Sequence, residues 1–392
     1  MLRRAVDVAP RRCQTLPTYS TLRGERMEST SLIAETASRL LRHYCDPQTL
    51  NSSAGDDWQG PAWAALEAAG LPLAWVPEDL GGAGISLEDG FGLLSLAGRY
   101  AVPLPLAETL LAGWLLAQGE IAVPPGMLTC APTRRGDKLR LAREGTLSGR
   151  LRAVPFAKAA KHLAVLAEGE DGRDGTIALI ELAKARVADG RSIAGEALNT
   201  VSLEAVHPIA TRDAPAGLDG ESLLAMGAAA RAMQMSGALA AVLDIAVAYA
   251  NERVAFERPI AKFQAVQHNL ARLAGEAAAA TAAAGSAADA IASAFAAPPA
   301  GTAPAPGLDD ALLLEVAAAK IRVGEAAGVG AGIAHQVLGA IGFTREHVLH
   351  RFTQRLWAWR DDFDNESAWA VRLGRLVAAR GSDSLWPLLA SR

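Results

Sequence analysis

The spacing of apolar positions changes character twice along this chain. Between Ser29 and Tyr44, Leu32, Ile33, Thr36, Leu40 and Leu41 line one side, the spacing of an amphipathic helix. Residues 56–69 predict a second helix, stopped by Gly70 and Pro72. Residues 88–99 and 105–118 complete a helical N-terminal part. From about Met127 the period shortens to two. Leu139–Leu151, His162–Glu168, Thr176–Leu182 and Thr200–Val206 predict strands, punctuated by Gly145, Gly149, Gly169, Gly172 and Gly175. After Pro215 the helical period returns. Leu239, Val242, Ala246, Tyr249, Arg253 and Phe256 share one face of a long helix over 220–256, and Pro259 ends it. A second helix opens at Phe263, with Gln267 one turn further on. It continues through 271–297. A Pro-rich connector, Ala297–Gly307, then leads to a helix over 308–329. The pattern predicts a mostly α chain with a middle β domain. A disordered tail would cover 1–26, a helical domain 27–125, the β domain 126–216, and a bundle of about four long helices 217–392.

Composition narrows the function classes. At 392 residues, 51% of them hydrophobic and many of those Ala, the chain can bury two or three cores of close-packed helices. A net charge of −4 without a basic stripe argues against nucleic acid. Cys13, Cys45 and Cys130 make no metal or CxxC spacing and read as reduced thiols, which suits the cytoplasm. The nearest thing to a membrane span is Ala274–Ala297, but it is Ala-dominated and holds Glu276 and Asp289, so no membrane partner is expected. The first 26 residues, with six arginines, look superficially like an organellar targeting segment. Because the helical pattern begins just after Met27, they are read as a tail or an upstream start.

Two segments carry a likeness. Tyr249, Ala250, Arg253, Phe256, Pro259, Ile260, Phe263, Gln264, Gln267, His268, Leu270 and Ala271 resemble, without a gap, the YAxxRxxFGxPIxxFQxxQHxLA stretch of the acyl-CoA dehydrogenase family. Glu257 stands where the family usually has Gly. Gln336, Gly339, Gly342, Phe343, Thr344, Glu346 and Arg351 resemble the family's QxxGGxGF-TxExxxxR segment, with Ala340 in place of a Gly. Pro77, Glu78, Gly81, Gly82, Gly84 and Asp89 are similar to a structural turn of the same family. The resemblance implies an N-terminal helical domain, a small β-barrel-like domain and a C-terminal four-helix bundle. It also implies FAD as cofactor, an acyl-CoA substrate and electron-transfer flavoprotein as acceptor. A homodimer or tetramer is implied too, in which Arg253, Phe256, Phe263, Gln264, Gln267, Gln336, Gly339 and Ala340 reach FAD held mainly by a neighbouring chain.

The likeness weakens where chemistry should occur. Of the family's TEPxxGSD-like stretch only Thr129, Pro132 and Asp137 remain. Its Trp-Ile-Thr stretch is replaced by AVPFAKAAKHLAVL, Ala153–Leu166, in which Pro155 has no N–H to donate. Desaturating an acyl thioester needs a carboxylate base in a dry pocket. The common family position lies 27 residues past Gln336, at Phe363; the variant position lies 26 before Arg253, at Gly227. Neither is an acid. Asp361, Asp362, Asp364 and Glu366 cluster nearby. A one-residue shift makes Asp362 or Asp364 the base, a three-residue insertion Glu366; otherwise these acids solvate a loop and cap the helix near Ser367. The leading expectation is an FAD-dependent acyl-CoA dehydrogenase using one of those three. The alternatives are a non-catalytic partner subunit of a heteromeric acyl-CoA dehydrogenase, which would complete a flavin site but lack a base, and a flavin monooxygenase on the same fold.

Overall fold

The computed structural model describes residues 26–52, 57–169, 174–295 and 307–390. The Arg-rich head and nearly all of the Pro-rich connector lie outside the described residues. The N-terminal layer is helical: α1 (Arg26–Tyr44), α2 (Pro47–Ser52), α3 (Gln59–Ala68), α4 (Leu87–Arg99) and α5 (Leu106–Gln118). Ser86 caps α4, its hydroxyl accepting from the Asp89 amide at 3.1 Å. Nearly all of α5 is buried, because its sequence is apolar on every side.

Eight strands follow: β1 (Leu128–Ala131), β2 (Leu139–Leu141), β3 (Leu147–Pro155), β4 (His162–Gly169), β5 (Asp174–Glu181), β6 (Arg186–Ala188), β7 (Leu198–Val206) and β8 (Ala210–Asp213). They form one mixed sheet in the order β6-β7-β3-β2-β4-β5-β8, with β1 added in parallel to β4. The stretch expected as one strand over 139–151 is a hairpin, turning at Gly145 with φ +81°. Strands β1, β6 and β8 were too short for their alternation to show.

The C-terminal layer holds α6 (Gly220–Glu252), a two-stranded hairpin of β9 (Val254–Ala255) and β10 (Arg258–Pro259), α7 (Gln264–Ala294), α8 (Asp310–Leu338), α9 (Leu349–Arg360), α10 (Glu366–Arg380) and α11 (Leu385–Ala390). Asp219, Asp309 and Asn365 cap α6, α8 and α10. The three longest helices pack through alanines such as Ala246, Ala280, Ala284 and Ala327, all fully buried. The α4–α6 crossing is closer still. A Cβ on Gly98 would lie 1.8 Å from the Gln234 carbonyl oxygen, and one on Gly237 1.9 Å from that of Ser95.

Two expectations need correction. The long helix does not carry Arg253 and Phe256 on its face. It ends at Glu252, Arg253 is extended (φ −71°, ψ 116°), and Phe256 sits in the hairpin turn. That turn needs two residues at positive φ, and here they are Phe256 (+52°) and Glu257 (+64°). Helices long and apolar enough to cross a membrane do exist: Gly220–Glu252 and Asp310–Phe343. More than half of each apolar window is buried inside the protein, so these are core helices by packing.

Candidate functional site

The two family-like segments meet at one end of the bundle. α6 ends there, α7 begins there and α8 ends there, and the Tyr249 ring meets His347 edge-on at 6.1 Å. The hairpin pushes Phe256 into solvent, where it is 88% exposed. Phe263 braces it edge-on at 6.1 Å, and the Arg258 guanidinium lies 4.3 Å from the Phe263 centroid. Arg253, Gln264 and Gln267 are exposed beside it, and Gln267 donates to the Ala261 carbonyl at 2.9 Å. Across from them, α8 stops at Gly339 (φ +67°), followed by exposed Ala340, Ile341 and Phe343. His335 supports this turn, stacked between Phe343 at 4.4 Å and Trp357 at 5.8 Å, with its Nε2 3.1 Å from the Thr353 hydroxyl. Gln336 is exposed on the last turn of α8. An exposed guanidinium, exposed aromatic rings and a small-residue turn together suit a flat, anionic ligand presented by another surface.

The base positions lie elsewhere. Gly227 and Phe363, found by counting from two different motifs, touch. A Cβ on Gly227 would lie 2.2 Å from the Phe363 ring, so the glycine exists to seat that ring. Phe363 is only 2% exposed. The helix rises about 1.5 Å per residue, so this spot is about 38 Å along α6 from Arg253.

Each acid nominated from the sequence is engaged by an arginine. Asp362 accepts from Arg231 Nε at 2.9 Å, Asp364 lies 3.4 Å from Arg135 Nε, and Glu366 pairs with Arg360. The cap of α10 is Asn365 rather than one of the acids. Asp362 precedes Phe363 in the chain, and its partner Arg231 stands one turn of α6 beyond Gly227.

Sequence reasoning missed the centre of this region. Arg231, 4% exposed, binds Glu108 of α5, Asp362 and Gln234 together. Burial pushes the Glu108 carboxyl up against the pull of Arg231. Burial draws the Arg231 guanidinium down, but the carboxylates of Glu108 and Asp362 more than reverse that. Nearby, Arg355 pairs with Glu196 at 2.8 Å, and buried Lys320 donates to the Trp359 and Arg360 carbonyls at 2.9 and 3.1 Å. A signal did exist: Glu108 is the only charged residue of α5, and Arg231 is the only basic residue of α6, set in an apolar run, and such buried charges are paired.

The middle layer is equally occupied. The Thr129 hydroxyl donates to the Pro155 carbonyl at 2.7 Å, and Thr133 donates to the Ala153 carbonyl at 3.1 Å. Asp137 accepts from the Arg152 amide and side chain, both at 2.6 Å. Phe156 and Ala159 line a cavity of about 560 Å³ with Trp58, Arg191, Arg351 and Arg355. A second cavity, about 320 Å³, lies between Arg134, Arg135, Lys138 and the first turns of α6, reaching Leu224.

This geometry defines a class. A family model described as "Acyl-CoA dehydrogenase, C-terminal domain" matches residues 220–358, so the C-terminal helical part of the chain is similar to that of acyl-CoA dehydrogenases. Among curated relatives, acyl-CoA dehydrogenase FadE34 of Mycobacterium tuberculosis is 29% identical over 83% of this chain, though the match spans only 43% of FadE34. Acyl-CoA dehydrogenase IpdE2 of the same organism is 27% identical over 84% of the chain and 91% of its own length. Among solved structures, the ChsE4-ChsE5 complex from Mycobacterium tuberculosis matches with a TM-score of 0.76 at 21% identity, covering 90% of this chain and 97% of that one. A Tcur3481-Tcur3483 steroid ACAD variant matches at 0.75 and 25% identity, covering 90% and 98%.

Proposed function

We propose that this chain is the base-lacking subunit of a heteromeric acyl-CoA dehydrogenase. It lends Arg253, Phe256, Phe263, Gln264, Gln267, Gln336, Gly339 and Ala340 to FAD held mainly by a second chain of the same fold. The observation that carries this reading is the contact between Gly227 and Phe363, which puts a phenyl ring where a carboxylate would have to stand. The bundle end fits FAD: Arg253 is an exposed cation for the diphosphate, and the exposed Phe256 ring offers a stacking face. The chain's own middle layer fits the flavin ring poorly. Thr129 and Thr133 spend their hydroxyl protons on backbone carbonyls, and Pro155 offers no N–H.

When bound, FAD accepts the hydride that leaves the acyl group. This chain's part is then to bind and orient the cofactor across the interface and to exclude water from it. The names of the relatives favour an acyl-CoA with a steroid-like acyl part, electron-transfer flavoprotein would take the electrons onward, and the cytoplasm is the proposed location. The test is spectroscopic. Purified alone, the chain should be colourless; purified with its partner chain, it should be yellow and bleach anaerobically on adding acyl-CoA.

A second reading is favoured by the 560 Å³ cavity beside Phe156. In it the chain holds its own flavin there, and Asp362 leaves Arg231 to act as base. A chain that is yellow by itself, and bleached by acyl-CoA, would establish that reading instead; Asp362→Asn should then abolish bleaching, and Asp364→Asn or Glu366→Gln would do so if either of those were the base.

A further inference from the structure

Three consecutive residues hold the loop between α9 and α10 from three directions. The Asp362 carboxylate is tied to Arg231 on α6. The Phe363 carbonyl accepts from Trp369 Nε1 at 2.9 Å, and Trp369 is fully buried. The Asp364 carboxylate faces Arg135, which reaches over from the β layer and also pairs with Glu221 of α6 at 2.9 Å. Arg372 closes on the same Glu221. Phe363 and Asp364 both sit at positive φ, +53° and +67°, a backbone that side chains rarely adopt without such restraint. The phenyl ring is therefore a fixed wall. Behind it, one turn further along α6, the space between α5 and α6 is filled by Glu108, Arg231 and Gln234, all buried. The 320 Å³ cavity that opens along the first turns of α6 reaches Leu224, three residues short of Gly227.

A base can act only on a carbon within hydrogen-bond reach of it. The carbon next to a thioester carbonyl would have to lie against Gly227 and Phe363, and the rest of the acyl chain beyond it. We infer that Phe363 is a specificity-determining residue of a negative kind: its ring, seated on Gly227 and backed by the Glu108–Arg231–Asp362 cluster, closes this chain's own acyl site. The inference rests on the proposed partner-subunit function and deepens it. A CoA moiety can still lie along the outer cavity, but an acyl group gains nothing by being attached to it.

The experiment compares two probes, free CoA and the unreactive thioether S-octyl-CoA, by calorimetric titration of the full-length chain. For the native chain, the two dissociation constants should agree within about twofold, or neither probe should bind. Phe363→Gly suits the positive φ and removes the ring, and it should bind S-octyl-CoA at least about fivefold more tightly than CoA. Phe363→Ala is the second variant should the first fold poorly. A native chain that prefers S-octyl-CoA by tenfold overturns the inference, as does a folded Phe363→Gly or Phe363→Ala chain showing no preference. Failure here is separable from failure of the functional reading, which is decided by the colour and bleaching of the chain without its partner.

Discussion

The end of the bundle and the junction of the three layers have gone opposite ways. At the bundle end, Arg253, Phe256, Gln336 and the Gly339–Ala340 turn resemble the family's motifs and stand exposed. At the junction, the family's positions hold Phe363, Gly227 and Pro155, and the space is packed with paired charges. An exposed arginine and an exposed phenyl ring contribute little to folding and stand ready for contacts outside the chain. A ring buried on a glycine contributes to folding and obstructs chemistry. The two regions lie at opposite ends of α6, more than about 35 Å apart along its axis, so one can change without disturbing the other.

The largest effect expected is at the junction. Arg231→Met leaves Glu108 and Asp362 buried without their cation and should cost about 3–5 kcal/mol in urea unfolding. A loss below about 1 kcal/mol would mean that the cluster is hydrated and the junction open. Next, Gly227→Ala drives a methyl group into the Phe363 ring and should cost about 1–3 kcal/mol. In the Phe363→Gly background that cost should fall by at least about 1 kcal/mol, a coupling read from the double-mutant cycle. At the other region the balance reverses. Arg253→Ala and Phe256→Ala should shift stability by less than about 0.5 kcal/mol, yet lower flavin retention in the assembled pair about tenfold, or about 1.4 kcal/mol. Equal retention would break the comparison.

A pH-dependent effect is expected at Lys320. Burial pushes its ammonium down from 10.5 to about 7. Between those values the unfolded chain binds more protons than the folded one, so stability should climb with pH by at most about 1.4 kcal/mol per unit. Below about pH 7 both states hold the proton and the slope vanishes. Lys320→Met should lack the climb between pH 7 and 10, measured by urea titration against the native chain.

Much of the architecture was legible because period and punctuation agreed. The switch at Met127 from helical spacing to alternation, and back after Pro215, reflects faces that must be buried. The hairpin after α6 was not legible. Arg253 and Phe256 continue the helical spacing, and Glu257 occupies a left-handed position usually marked by Gly. At the junction, counting from two motifs pointed to Gly227 and Phe363, but nothing local says that residues 136 apart touch. Glu108 and Arg231, 123 apart, were hidden for the same reason. Asp362, Asp364 and Glu366 were visible as acids, but their arginines were visible only as scattered charges until folding brought each pair together.

Helix α6 runs 33 residues without a proline. It therefore works as a gauge rod: whatever fixes its first turns also fixes, to within the stiffness of a helix, where the hairpin is delivered. Excising seven residues from its middle would draw the hairpin back by about 10 Å while nearly preserving its rotational setting. Assembly with the neighbour should then fail for want of reach, with every contacting side chain still in place.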